Sequence, residues 1–478
     1  MFDIRLEGTS LDRFPNTQLA LERFNPLFDF GTLQGAKMYR FAVPFSKKND
    51  AAFGHAYDPR VVRNPRLFST DLYADGDLIE RGNVYLEKVT DTGYELSFGS
   101  SFGSFFGDLT DVSLRKINFG SEALPGSHTA ILTSKNSVAG DLMYCLPTVK
   151  NADFYGTNTV AGFDGLVNKY VSGAYTSACP KVPMIGLIWV LKKLGELCGF
   201  TLDGPALSHT AMQRVIFYNT FCLDSATTLN YANHLPDITV RQLILALRMP
   251  PFGIVPFIDQ RARRITLRFT EELLATPTSM DLTERTYPKV LPGSLTDRRL
   301  ELNWQLDSGD GLMKVVPTEL DKYTAAANGD ATLFSLTGLF STLKIDSGTG
   351  YPTASQAGIS PQFGQLNNSF SPRFLFWEGM ISSVPSADVS YSGTLLSFTG
   401  TNNLRVKFWN RFETWRARTY PIQVRAQLTA NQLTRLDFHR RAGQEIAVHI
   451  KGVDYLVQKI TAPLPSEKQY STLELWKR

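Results

Sequence analysis

Residues 235–269, reading LPDITVRQLILALRMPPFGIVPFIDQRARRITLRF, constrain the fold more than any other stretch. The Thr239 side chain can accept a hydrogen bond from an unpaired amide of a first helical turn, and Leu243, Ile244 and Leu247 then recur at helical spacing on one face. Met249-Pro250-Pro251 must end that helix, because proline removes a donor and disfavours helical backbone in the residue before it. An apolar run over residues 252–258 follows, then the polar turn Asp259-Gln260-Arg261-Ala262-Arg263. Beyond it Ile265, Leu267 and Phe269 alternate with Arg264, Thr266 and Arg268. The pattern predicts a helix feeding a β-hairpin with one wet face, and the arginine-rich turn at residues 261–264 is expected to be a solvated tip.

A chain of 478 residues exceeds one compact core, so roughly three domains of about 150 residues are expected. The 43% hydrophobic and 20% charged fractions exclude a disordered, collagenous or coiled-coil chain, and 32 Phe with 18 Tyr favour β-structure. A net charge of +4, with arginines scattered among carboxylates, argues against a dedicated nucleic-acid binder. The opening MFDIRLEG carries an acid and no apolar run, so no secretory signal is expected. The longest apolar stretch, residues 183–191, falls short of the ~20 residues a membrane span needs. Four cysteines without a CxxC pair are expected to be buried thiols in a reducing compartment, and the six histidines show no ligand spacing.

Strand-like text dominates both ends. Ile4 and Leu6, Leu19 and Leu21, and Phe41 with Val43 punctuate the start, with Ser46 or Asn49 available to cap a short turn. Residues 78–89 after Asp75-Gly76-Asp77 and residues 94–98 after Asp91-Thr92-Gly93 read as a hairpin. The Phe-Gly-Ser text from Ser97, SFGSSFGSFFGDL, is expected to plug a core rather than stack bases or sugars. Between about 120 and 180 the pattern dissolves into Gly, Ser, Thr and Asn, an insertion with little regular structure. Leu187, Val190, Leu191, Leu194, Leu197 and Cys198 then form a helical stripe, expected to start with Pro183 near its first position and to stop at Gly199. Leu300, Leu302, Trp304 and Leu306 alternate as a strand with one buried face. Residues 322–372, poor in charge, read as a long exposed excursion. Strands are expected again at 373–380, 404–409, 446–450, 455–460 and 473–476.

No constellation that chemistry would need appears. GxSxG, P-loop, HExxH and dinucleotide motifs are absent, so no catalytic, cofactor-binding or metal residue is assigned and no cofactor is expected. Asp307 and Asp310 fall in a turn and Glu271-Glu272 is expected on the surface, neither spanning a glycosidase cleft. The cluster FWNRFETWRAR at residues 408–418 could hold sugars or bases on its aromatics, but Phe408, Trp409, Phe412 and Trp415 are more simply read as core and interface packing.

The blocks RFAVPFSKKNDAAFGHA from Arg40, LGELCGFTLDG from Leu194, LPDITVRQLILAL from Leu235, PRFLFWEG from Pro372 and IKGVDYLVQKITAPLPSEKQYSTLELWK from Ile450 together resemble tail hub (baseplate hub) proteins of phages that infect Bacteroidota. The resemblance implies a structural virion protein, not an enzyme, whose tube-like β domains form a ring at the distal end of the tail. It implies partners among other tail proteins (tube or distal tail protein, tape measure, tip or fibre proteins), DNA only in transit, and assembly in the host bacterial cytoplasm. It transfers no site residues, and it does not extend to the segments near 126–180 and 322–372. A receptor- or carbohydrate-binding tail protein, a hexameric distal-tail adaptor and a tail-associated wall hydrolase are the alternatives.

The expected architecture is mainly β with an α/β module, an α+β chain. It divides into a first tube-like β-sandwich or barrel domain at about 1–125, the irregular insertion at 126–180, the helix-containing middle module at 181–280 and a second tube-like domain at 281–478. A faint internal repeat supports two such domains: turn Asp75-Gly76-Asp77, Leu86-Glu87-Lys88-Val89 and Tyr94-Glu95-Leu96 match turn Lys451-Gly452-Val453, Val457-Gln458-Lys459-Ile460 and Leu473-Glu474-Leu475. Three copies would then imitate the sixfold tail tube, a homotrimer being favoured over a hexamer, with exposed aromatics of residues 408–415 as the candidate seam.

Overall fold

The computed structural model describes the chain except residues 1, 16–18, 33–34, 62–66, 101–105, 127, 129–130, 132–141, 279, 328, 330–331 and 465–468, and the side chain of residue 288. The first hundred residues give β1 (Phe2–Leu6), β2 (Thr9–Ser10), β3 (Leu19–Phe24), β4 (Lys37–Pro44), β5 (Leu67–Ala74), β6 (Asp77–Val89) and β7 (Gly93–Gly99). Alternation fixes their faces: in β1 Phe2, Ile4 and Leu6 are buried while Arg5 is exposed. The far end supplies β8 (Met280–Asp281), β9 (Thr286–Pro292), β10 (Pro421–Ala426), β11 (Ala447–Ile450), β12 (Val453–Leu464) and β13 (Ser471–Lys477). Among the described residues these 13 strands form one sheet in the order β2-β1-β5-β6-β7-β4-β3-β12-β13-β10-β9, with β11 pairing β12 and β8 pairing β11. The protein is mainly β, and both ends of the sequence meet in that sheet where β3 pairs β12.

The middle of the chain follows its periodicity. The helix Val240–Arg248 opens on a closed capping box, in which the Thr239 hydroxyl accepts from the Gln242 amide at 3.2 Å and the Gln242 side chain accepts from the Thr239 amide at 2.8 Å. Leu243, Ile244 and Leu247 are buried against the strand Ile254–Asp259, which pairs antiparallel with Arg264–Phe269. A second helix, Leu187–Cys198, ends on Gly199 with φ +69°, a left-handed residue where glycine carries no Cβ penalty. Its start departs from expectation. Pro183 lies outside it, Met184–Ile185 pair as a short strand with Tyr144–Cys145, and Gly186 is the cap. The stripe also loses Leu197, which is 44% exposed, because the apolar face drifts by the end of the helix.

Three other expectations are corrected. Residues 404–409 are not a strand: Arg405–Trp409 is a wide helical turn that continues as the helix Asn410–Arg416. Leu404, Phe408 and Phe412 recur every fourth residue, all buried, and that spacing outweighs the local β-like composition. Residues 322–372 are not an exposed excursion, since Leu336, Phe340, Leu343, Ile359 and Phe370 are buried and Phe340 stacks on Phe374 at 4.1 Å between centroids. Leu333–Gly338 pairs parallel with Arg299–Trp304, which ties this stretch to a strand whose Leu300, Leu302 and Trp304 are buried. Finally, Ser46 caps not a turn but a helix, Lys47–Ala52, while the buried Asn49 side chain bridges the Asp12 and Pro44 carbonyls.

Residues 120–180 carry strands of two or three residues, yet Cys145, Val149, Phe154 and Tyr155 from this stretch enclose a second core with Leu375 and Trp377 of the strand Arg373–Ile381. In the Phe-Gly-Ser text Phe98 and Phe106 are buried, and residues 101–105 lie outside the described residues. No helix of the described chain is long and apolar enough to cross a membrane.

Candidate functional site: a repeated hairpin and an open sheet edge

The sheet contains one local device twice. The turns Asp75-Gly76 (φ +51° and +89°) and Lys451-Gly452 (φ +49° and +84°) both place two successive residues in left-handed backbone, which matches the twist of the strands they join. They close the hairpins β5-β6 and β11-β12 at Ala74↔Asp77 and Ile450↔Val453. Further on, the pairing of β6 with β7 slips between Leu86 and Lys88, and that of β12 with β13 slips between Val457 and Lys459. Each bulge is followed by a cross-strand ion pair at the corresponding position, Lys88 to Glu95 at 3.3 Å and Lys459 to Glu474 at 3.9 Å.

The likeness extends beyond the hairpins. β7 pairs with β4, which runs into the helix Lys47–Ala52 capped by Ser46, and β13 pairs with β10, which runs into the helix Ala430–Arg435 capped by Thr429. Each unit ends on one further strand, β3 beside β4 and β9 beside β10. The orders β5-β6-β7-β4-β3 and β11-β12-β13-β10-β9 are thus the same. The sequence signature of hairpin and partner strand was legible, whereas the helix of each unit was missed; Thr429-Ala430-Asn431-Gln432 is a capping-box spelling that could have found the second.

Where the two units join, β12 accepts two strands on one edge. β11 covers Val453 to Leu456, and β3 covers the stretch from Lys459↔Phe24 to Leu464↔Leu19. Lys459 reaches the Glu22 carboxylate at 2.7 Å, and Asn25 donates its side-chain amide to the Val457 carbonyl at 2.7 Å. The strand corresponding to β3 in the second unit, β9, is paired on one edge only among the described residues. Its Tyr287, Val290 and Leu291 are 44%, 36% and 58% exposed.

The remaining candidate residues are structural. The turn at residues 261–264 is solvated only in part: Ala262 and Arg263 are exposed, but Arg261 donates to the Leu78 carbonyl of β6 at 2.9 Å, and Arg263 donates to the carbonyls at the end of the helix Leu187–Cys198, Cys198 at 2.6 Å and Gly199 at 2.9 Å. Beside them a cleft is lined by Glu80, Arg81, Arg248, Asp437 and His439, with Pro26 and Ile258. Burial pushes the Glu80 carboxyl up to about 7 against the pull of Arg23, whose Nε donates to it at 2.9 Å. Arg248 donates to the Thr32 carbonyl at 2.6 Å and to the Pro26 carbonyl, so the cleft ties the middle module to the sheet.

The aromatic cluster of residues 408–418 is packed inside. Phe408, Trp409 and Phe412 are buried, and the indole N–H groups of Trp409 and Trp415 donate to the Pro251 and Lys477 carbonyls at 3.1 and 3.0 Å. These side chains therefore offer no seam to another chain. Glu271 is not a surface carboxylate either. It accepts from the Arg411 and Phe412 amides at 2.7 and 3.2 Å, capping a helix 140 positions away in sequence; burial raises its pKa while those amides hold it down. Asp307 and Asp310 leave solvent altogether. Arg373 lies between them, 3.2 Å from Asp307 and 2.5 Å from Asp310, with Gln356 bonded to both Arg373 and Asp307. Cys145, Cys179 and Cys222 are buried free thiols, Cys198 is half-buried, and no group of His, Cys, Asp or Glu among the described residues could hold a metal ion.

No family model and no curated protein matches the chain. Solved structures similar to it include the 43 kDa tail protein of prophage MuSo2 from Shewanella oneidensis (TM-score 0.39, 7% identity, covering 100% of this chain and 98% of that one). A tail protein from Neisseria meningitidis MC58 aligns with TM-score 0.35 and 10% identity over 100% of this chain and 96% of that one. Prophage tail protein gp18 from Listeria monocytogenes EGD-e aligns with TM-score 0.36 and 7% identity over 99% and 94%.

Proposed function

We propose that the chain is a structural protein of a phage tail, the hub of its tip or baseplate, which assembles as three copies into a ring closing or extending the distal end of the tail tube. The observation that carries this reading is the repeated five-strand unit with its matched turn, bulge and lysine–glutamate pair, both copies in one continuous sheet. In the hub family that the sequence resembles, two similar domains per chain let a trimer meet a sixfold tube without a symmetry break. The partners are then the tail tube or distal tail protein above, the tape measure, and tip or fibre proteins below, with DNA passing through. The place of action is the virion tail, after assembly in the host cytoplasm.

A mass measurement of the purified assembly tests the reading. Three copies of the 53.3 kDa chain are expected. Six copies around the axis would make the protein a hexameric distal-tail adaptor instead, and a chain that stays single at every concentration would overturn the ring.

A further inference from the structure

We propose that the face of the sheet opposite the core, where the repeated lysine–glutamate pairs lie, lines the passage through the ring, and that its carboxylates mask its lysines so that a DNA duplex slides past without being held. The proposal rests on the ring reading and says what the passage shows to DNA.

Alternation assigns the faces. Tyr94 and Leu96 of β7 and Leu473 and Leu475 of β13 are buried in the core, so Glu95 and Glu474 between them point the other way. Past each bulge the register sets Lys88 opposite Glu95 and Lys459 opposite Glu474. The bulged residues repeat as well. Glu87 accepts from the Ser97 hydroxyl at 2.6 Å, and Gln458 accepts from the Trp476 indole N–H at 2.6 Å, both donors lying two residues past the paired glutamate. Each unit therefore places one lysine at the same point of the same face, and three chains of two units would set six of them around the axis.

Neither lysine is bare. Lys88 stands 3.3 Å from Glu95, with Glu87 exposed on the same face, and Lys459 is held between Glu22 at 2.7 Å and Glu474 at 3.9 Å. Between the two bulges Lys37 of β4 is set opposite Glu22 in register and lies over the Phe24 ring. With Arg40, exposed in the bulge of β4, the stretch carries four cations against Glu22, Glu87, Glu95 and Glu474, so its charge balances. A duplex is held where its phosphates trade counterions for bare lysines and arginines, and a lysine already met by a carboxylate offers little in that trade. Ion pairs in contact with water add little to stability, so their recurrence at one place in both units points to what the face meets rather than to the fold.

DNA retention by the assembled protein tests this. One variant combines Glu22→Gln, Glu95→Gln and Glu474→Gln; a control combines Asp111→Asn, Asp164→Asn and Glu196→Gln, which free Arg241, Lys169 and Lys193 elsewhere on the surface. Each is mixed with a linear DNA duplex and with the same duplex closed into a circle, which cannot thread a ring. The first variant is expected to hold the linear duplex at least about tenfold more tightly than the wild type, less so as salt rises, and to gain nothing on the circle. Should the loss of the buried Glu22 keep it from assembling, Glu95→Lys with Glu474→Lys, both at half-buried positions, carries the same expectation. Three outcomes would overturn the proposal while a three-chain mass leaves the ring reading intact: wild type holding the linear duplex as tightly as the variant, the variant holding circle and linear duplex alike or neither, or the control matching the variant on linear duplex. A single-chain mass would overturn both.

Discussion

Arg373 is fully buried at the start of its strand, and its charge is met by Asp307 and Asp310 from one turn and by Gln356, which in turn bonds Asn151. Four stretches distant in sequence are thus fastened at one guanidinium, and Asp307 is held below the usual carboxylate range mainly by it, against burial. Removing it strands two carboxylates in a dry interior, so Arg373→Met should cost on the order of 3–5 kcal/mol, read as a drop in the urea midpoint. No change would mean that the carboxylates simply take up protons. His234 sets an acid limit. Burial, aided by Arg115, pushes it down to about 3. The folded state refuses a proton that the unfolded chain accepts below about pH 6.5, so stability present above that pH is lost as pH falls toward 3, by up to about 1.4 kcal/mol per unit. His234→Gln should flatten the melting temperature between pH 6.5 and 4; an unaltered slope would place the acid sensitivity elsewhere.

At the scale of elements, the helix Val240–Arg248 is specified twice over. Its cap, its stripe and its proline stop agree, and its buried face meets the hairpin that follows within a few residues. Leu243→Ala or Leu247→Ala should each cost about 2–5 kcal/mol, the usual range for emptying a packed leucine site, and thermal unfolding of the variants reads it. Wild-type stability in both would show that the face is not packed. The helix Asn410–Arg416 is the opposite case. Its N-terminal amides are satisfied by Glu271, so no local spelling announces it, and its aromatics read equally well as a strand.

For the molecule as a whole, the repeated unit turns two ends of a chain into one sheet, and the three-copy mass expected under the proposed ring reading counts two such units per chain. The bulge and the lysine–glutamate pair recur at matching positions, although β6 is longer before its bulge than β12. Similar text alone can arise in any alternating hairpin. Sharing strand order and a bulge at the matching place is a stronger likeness, because both depend on strands beyond the turn and its two arms.

The sequence alone determined what local physics fixes: the capped helix and its proline stop, the glycine that ends Leu187–Cys198, the turns at Asp75-Gly76-Asp77 and Lys451-Gly452-Val453, and the mainly β character. Backbone dihedrals and side-chain periodicity act over a few residues, so they leave a readable trace. Only the tertiary structure decided that Arg261 and Arg263 donate to carbonyls of other elements, that Asp307 and Asp310 are interior charges, that residues 322–372 supply core, and that β9 ends the sheet among the described residues. In each of these the deciding partner lies far away in sequence. Whether a charge is solvated or paired, and whether an edge is closed, depends on which distant backbone arrives beside it.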